Sequence, residues 1–159
     1  MDFEDINVEI QNNIFTCRTA AFIKRDGKIL FQKRKNDKVW ALPGGKLKVM
    51  ERAEEGVQRE INEELGCSLV NLNLISVTEN FFEMNNKKAH QYIFTFAGDL
   101  DTNSYNDKIE FDSIEKDKNV IYRWIEIEKL DEFDIRPDNI KDMLEGLEKE
   151  VIKFFKCEG

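Results

Sequence analysis

The 159-residue chain is 41% hydrophobic and 35% charged, a balance expected of one globular domain spanning 1–159 with its own core. Its 24 basic and 32 acidic residues leave a formal charge of −8, which disfavours long polyanions such as DNA or RNA as partners. No run of about 18 apolar residues is present, so no membrane helix is expected. The acidic opening MDFEDINVEI lacks the basic-then-apolar pattern of a signal peptide, which makes the cytoplasm the expected location. Cys17, Cys67 and Cys157 are odd in number and far apart, and read as reduced thiols outside any zinc site or disulfide framework.

In chain order, a short strand is expected around Val8 to Ile10. The β-branched and aromatic residues from Ile14 to Lys24 and from Lys28 to Arg34 predict two further strands. Asp26-Gly27 between them suits a type I′ hairpin, whose central positions both need positive φ. Trp40 to Gly45, WALPGG, reads as a short extended piece ending in a glycine turn.

A helix is expected from Arg52 to Leu65, closed by Gly66. Ala53, Val57, Ile61 and Leu65 form its apolar stripe. Glu60, Glu63 and Glu64 crowd an arc of about 100° beside that stripe. Like charges at these spacings destabilise a helix by a few tenths of a kcal/mol per pair, roughly, so the arc calls for a partner. Clustered carboxylate oxygens suit a hard divalent cation such as Mg²⁺. Gly56 lies on the same arc and leaves room for something to approach.

Beyond the helix, Ser68 to Glu83 and Gln91 to Ala97 predict strands joined by a turn at Asn85 to Lys88. Gly98 to Asn119 reads as a long surface loop over a cleft. Val120 to Ile127 returns to strand. Pro137 is expected at the first position of a final helix, with Ile140, Met143, Leu144, Leu147, Val151, Ile152 and Phe155 facing the core. The element order suggests an α/β protein, a mixed sheet flanked by helices on both faces.

The spacing of Gly45, Glu51 and the run Arg59-Glu60-Ile61-Asn62-Glu63-Glu64-Leu65-Gly66 resembles the Nudix box of Nudix hydrolases. Cys67 stands where that box usually has Ile, Leu or Val. WALPGG before the box and RPDNIKDML near the end are also similar to the family. The resemblance implies the Nudix fold, an α/β/α sandwich with a mixed sheet, and hydrolysis of a small nucleoside diphosphate linked to another moiety.

Carried over residue by residue, it implies Mg²⁺ or Mn²⁺ on Glu60 and Glu64, with Glu63 and the Gly44 carbonyl as further ligands. Arg59 then orients a carboxylate, and Glu51 braces the loop-to-helix junction. The general base is Glu60 in some relatives and a glutamate beyond the box in others, for which Glu110 and Glu115 are the candidates. Arg18, Lys33 and Arg34 are candidate phosphate contacts, and Trp40, Phe81, Phe82 or Tyr92 a base-stacking ring. His90, the single histidine, reads as an ordinary half-buried strand residue.

Members specific for ADP-ribose often carry a proline shortly after the box. This chain has none between Pro43 and Pro137, which leaves nucleoside triphosphates, other nucleotide sugars and dinucleotides. Three rivals stand beside this reading. One is a binding-only nucleotide sensor, another an isoprenoid diphosphate isomerase, disfavoured by a single histidine. The third is an RNA 5′-end pyrophosphohydrolase, disfavoured by the acidic charge. A homodimer is left open.

Overall fold

The computed structural model describes residues 2–158. Strand β1 (Asn7–Ile10) turns through Gln11 and Asn12 into β2 (Asn13–Phe22). At Ile23 the chain leaves this sheet, so the long strand expected to Lys24 is divided. A short β3 (Lys24–Arg25) pairs with β4 (Lys28–Arg34) in a second sheet. The hairpin at Asp26 and Gly27 has φ of 52° and 74°, the positive values its turn type requires.

The expected glycine turn is instead strand β5 (Gly44–Lys46), antiparallel to β2 with Ala20 opposite Gly44 and Thr19 opposite Gly45. Glycine is needed for closeness: a Cβ on Gly44 would lie 2.0 Å from the Thr19 carbonyl oxygen.

Helix α1 (Ala53–Leu65) ends as its sequence implies, with Gly66 at φ 67° and its N–H donating to the Asn62 carbonyl at 2.9 Å. Strands β6 (Leu69–Met84) and β7 (Lys87–Leu100) form a long hairpin through Asn85 and Asn86, both at positive φ. The stretch expected to be loop from Gly98 to Asn119 is only partly loop. Strand β7 runs on to Leu100, β8 (Glu110–Asp112) joins β9 (Val120–Glu126), and Lys116–Lys118 forms a 3₁₀ turn. Two aromatic residues in that polar stretch anchor it: Tyr105 stacks on Phe111 at 4.4 Å, and Phe111 on Tyr122 at 5.7 Å.

The final helix is corrected at both ends. Helix α2 covers Ile140–Glu148, starting after Asn139 and not at Pro137. The chain turns at Glu150 (φ 54°), and Val151 and Ile152 are exposed. Phe155 reaches the core from strand β10 (Lys153–Glu158), which runs parallel to the edge of β6. The unpaired backbone of a 16-residue edge strand offers more than further helical turns do.

The first sheet is mixed and six-stranded, ordered β1-β2-β7-β6-β10, with β5 pairing on β2; the second is antiparallel, ordered β3-β4-β9-β8. Alternate residues serve two cores. Ala20, Phe22, Ile29 and Phe31 pack with Ile140 and Met143 of α2, whereas Ala21, Ile23 and Leu30 pack with Val57, Ile61 and Leu65 of α1. The two helices thus cover opposite sides, an α/β/α arrangement. Among the described residues no helix is long and apolar enough to cross a membrane.

Candidate active site

Seating Val57, Ile61 and Leu65 in the core fixes the rotation of α1 and carries Glu60 and Glu64 inward beside them. These carboxylates, one turn apart, are only 6% and 3% exposed. Buried carboxylates are tolerated when charge and hydrogen bonds reach them. Arg59 Nη1 donates to Glu60 Oε1 at 2.9 Å. The Tyr122 hydroxyl from β9 donates to Glu64 Oε2, and Gln32 Oε1 lies 3.0 Å from the same hydroxyl. With one proton, that hydroxyl serves one acceptor at a time. Burial pushes the Glu64 carboxyl above its usual range, Tyr122 opposes the shift, and Glu60 adds to it. Burial, then the Glu64 charge, drive the Tyr122 phenol well above its own range.

Arg59 is the hub of the box. Its Nε and Nη2 reach both oxygens of Glu51, Nη2 also donates to the Lys46 carbonyl at 3.2 Å, and Nη1 lies 3.4 Å from Glu63 Oε2. Glu51 Oε1 further accepts from the Lys48 N–H at 3.1 Å. The loop from Lys46 to Glu51 is thereby tied to the helix. Hydrogen bonding from Arg59 holds the Glu51 carboxyl below its usual range against an opposing contribution from burial.

The glycines permit this closeness. A Cβ on Gly45 would meet the Glu60 carboxyl carbon at 2.5 Å. Gly56 does not open space for a ligand, as its position on the arc suggests. A Cβ there would lie 2.4 Å from Leu47 Cδ2 and 3.0 Å from Glu51 Oε1, so the protein itself occupies that room. The Gly44 carbonyl accepts from Gln32 Nε2 at 3.3 Å.

The β8–β9 connection is pinned to the same helix. The Ile114 N–H and the Ser113 hydroxyl both donate to the Glu64 carbonyl, at 2.8 and 3.0 Å. This brings Glu115 to the cluster, where its carboxylate raises the Glu64 value further. Lys118 Nζ lies 3.2 Å from Glu115 Oε2, 3.9 Å from Glu60 Oε2 and 3.8 Å from Glu64 Oε1. Glu110 is left outside, paired with Arg123 at 3.1 Å on exposed strand.

Glu60 and Glu64 open into a cleft of about 840 Å³ whose lining includes Arg18, Lys33, Arg34, Lys46, Lys118 and Arg136. The first three were expected there from the sequence. Burial lowers the Arg18 guanidinium while Glu60 and Glu64 pull it back up.

Trp40 and Phe82 are not brought to the cleft. Trp40 is 6% exposed because the neighbouring chain pairs with Gln32 and Ile135 and turns its ring into the α2-side core. Phe82 sits opposite Ala89 near the hairpin tip. Tyr92 pairs with Glu79, and His90 stacks on Phe81 at 4.5 Å. The three cysteines are free, and burial pushes the Cys67 thiol up to about 11. Tyr122, Gln32, Lys118 and Arg136 were missed by sequence reasoning. Nothing local distinguishes Tyr122 from Trp124, the other aromatic residue of its strand, and Lys118 lies in an unpatterned charged run.

The donor set fits a hard divalent cation in one respect and limits it in another. Two buried carboxylates share a side on which an ammonium already stands, which marks a position that favours positive charge. Among the described residues, no three His, Cys, Asp or Glu side chains converge as a ready cage. A pair suffices for Mg²⁺, which keeps waters and takes phosphate oxygens alongside one or two carboxylates.

Buried paired carboxylates on the first helix of an α/β/α sandwich, facing a cleft that also presents Arg and Lys side chains, are the arrangement of a hydrolase acting on phosphoanhydride bonds. The family model of the NUDIX domain matches residues 16–145, and the chain belongs to the Nudix family. Solved structures agree in fold. A MutT protein from Bacillus halodurans superposes with a TM-score of 0.65 at 17% identity, covering 90% of this chain and 89% of that one. A MutT Nudix hydrolase from Burkholderia pseudomallei is 26% identical with a TM-score of 0.53, over 84% of this chain and 98% of that one. A MutT protein from Methanosarcina mazei Go1 is 26% identical with a TM-score of 0.55, over 89% and 97%. Nudix hydrolases generally use divalent metals.

Proposed function

We propose that residues 1–159 act as one Nudix domain that cleaves a small nucleoside diphosphate joined to another moiety, by attack of water on a phosphorus. A nucleoside triphosphate, a nucleotide sugar or a dinucleotide would meet that description. The observation that carries the reading is the buried Glu60–Glu64 pair in a nucleotide-sized cleft whose lining mixes six Arg and Lys residues with Asp5, Asp37 and Asp117. Individual Arg and Lys side chains there would pair with phosphate oxygens, and a cation on Glu60 and Glu64 would neutralise those two carboxylates.

Glu60 and Glu64 would hold Mg²⁺ or Mn²⁺, with the Gly44 carbonyl as a further oxygen and Glu63 acting only through a water of the ion, since among the described residues no third carboxylate converges on the pair. The bound cation supplies charge neutralisation for the diphosphate and a lowered pKa for water. Arg59, itself held by Glu51, would keep Glu60 at its post. Arg18, Lys33 and Arg34 would contact the phosphates. Glu115 is preferred to Glu110 as the base that takes the proton of the attacking water, because it lies beside Glu64 through the Lys118 contact.

Hydrolysis of a panel of nucleoside diphosphate derivatives with Mg²⁺ in H₂¹⁸O tests the reading. Mass analysis should find the heavy oxygen on one phosphate product. Metal-independent binding without turnover across the panel would make the protein a nucleotide sensor. Faster turnover of 5′-triphosphorylated RNA than of any free nucleotide would move the substrate to RNA.

A further inference from the structure

The two carboxylates divide their oxygens in a particular way. Glu60 Oε1 is taken by Arg59 and Glu64 Oε2 by Tyr122, which leaves Glu60 Oε2 and Glu64 Oε1. Lys118 Nζ stands opposite those two, at 3.9 and 3.8 Å, while its shortest contact, 3.2 Å, is to Glu115 Oε2. The lysine is not locked in place by burial, since its side chain is 44% exposed. Its turn, however, is fastened at both ends. Ser113 and Ile114 are held on the Glu64 carbonyl, and the Asn119 carbonyl accepts from the Lys35 N–H at 3.0 Å. A half-exposed cationic arm is therefore mounted on a fastened turn beside the carboxylates, at the wall of the cleft.

We propose that Lys118 is a built-in counter-ion that competes with the divalent cation for Glu60 Oε2 and Glu64 Oε1, and that on exchange it turns into the cleft to meet a phosphate of the substrate. This rests on the reading of Glu60 and Glu64 as the metal-holding pair. An ammonium and a divalent cation cannot both face the same two oxygens at close range without strong repulsion. Lys118 already lines the cleft, so the displaced ammonium can turn into it. Its departure also frees Glu115 from an ion pair. One exchange would thus couple metal arrival to both phosphate binding and release of the candidate base.

The test is Mn²⁺ affinity without substrate, by calorimetry or by the spin-resonance signal of free Mn²⁺, in the wild type and in Lys118→Met, Lys118→Arg and Glu60→Gln. Lys118→Met should bind Mn²⁺ about tenfold more tightly, a figure discounted for solvent screening of a half-exposed charge. Lys118→Arg, which keeps the charge, should bind as the wild type does. In turnover assays at saturating metal, Lys118→Met should raise KM more than it lowers kcat. Unchanged or weaker Mn²⁺ binding by Lys118→Met, with Glu60→Gln losing affinity, overturns the exchange while keeping the site. Wild-type Mn²⁺ binding that Glu60→Gln leaves untouched overturns the site reading itself. Circular dichroism of each variant separates these results from a failure to fold.

Discussion

Arg59 and Glu51 form a two-point ion pair, Nε to Oε2 at 2.6 Å and Nη2 to Oε1 at 2.9 Å, which clamps the glycine-strand loop to the first helix. Both side chains are largely shielded, at 21% and 13% exposure, so geometry and partial burial favour the pair over an ordinary surface bridge. Glu51→Gln should lower stability by about 2 kcal/mol, the scale of a hydrogen bond to a charged group. For a chain of this size that is a fall in Tm of about 4–8 °C.

The same pair sets a pH dependence. The folded carboxyl of Glu51 lies below its usual value, chiefly through Arg59. Its stabilisation is therefore complete above the unfolded value of about 4.3 and is lost as pH falls through the lower folded value. In chelator-treated protein, the Tm gap between wild type and Glu51→Gln should be full at pH 7 and shrink below about pH 4. A gap that persists undiminished at pH 3 would contradict the pairing.

Glu64→Gln removes a buried charge but keeps the shape. If Glu64 holds the cation as proposed, metal-dependent hydrolysis should fall by about 10³-fold or more. The fold should survive, because relief of the Glu60 repulsion offsets the weaker bond to Tyr122. Turnover at the wild-type rate would remove Glu64 from the site.

Tyr122→Phe deletes the hydroxyl that donates to Glu64 and leaves the ring stacked on Phe111. Loss of a buried donor should cost about 1–3 kcal/mol. On the proposed metal-holding role of Glu64, loss of its hydrogen-bond partner should weaken Mn²⁺ binding about 10–100-fold. Denaturant unfolding and Mn²⁺ titration measure the two effects separately, and a change in stability alone would limit Tyr122 to a core role.

Gly56→Ala opposes helix propensity to packing. Propensity alone favours alanine by about 1 kcal/mol. The new methyl would sit 2.4 Å from Leu47 Cδ2 and 3.0 Å from Glu51 Oε1. Overpacking costs about 1–3 kcal/mol, so the variant should be less stable and should disturb the Glu51–Arg59 clamp. A gain in Tm would show that Leu47 swings away freely.

Much of the candidate site was legible in the sequence because it lies on one helix. The 3.6-residue period, the stripe Val57, Ile61 and Leu65 and the closing Gly66 place Glu60 and Glu64 beside the core before any fold is known. Strands β4 and β9 and the Asp26-Gly27 hairpin were equally readable, since β-branched and aromatic content and positive φ are local demands. The end of the chain was not. Val151 to Phe155 continues a helical apolar spacing, and only the open edge of β6 makes Lys153–Glu158 a strand.

The local sequence by itself determined the helix, its carboxylates and the charge they require, because those follow from spacing along one element. Only the tertiary structure decided what surrounds them: Tyr122, separated from Glu64 by 58 positions, Gln32 beside the Gly44 carbonyl, and Lys118 facing both carboxylates. It also separated Glu115 from Glu110, and took Trp40 and Phe82 out of the cleft. A side chain's chemical type is carried by its own position, but its neighbours across a sheet are set by register and by which core its face covers.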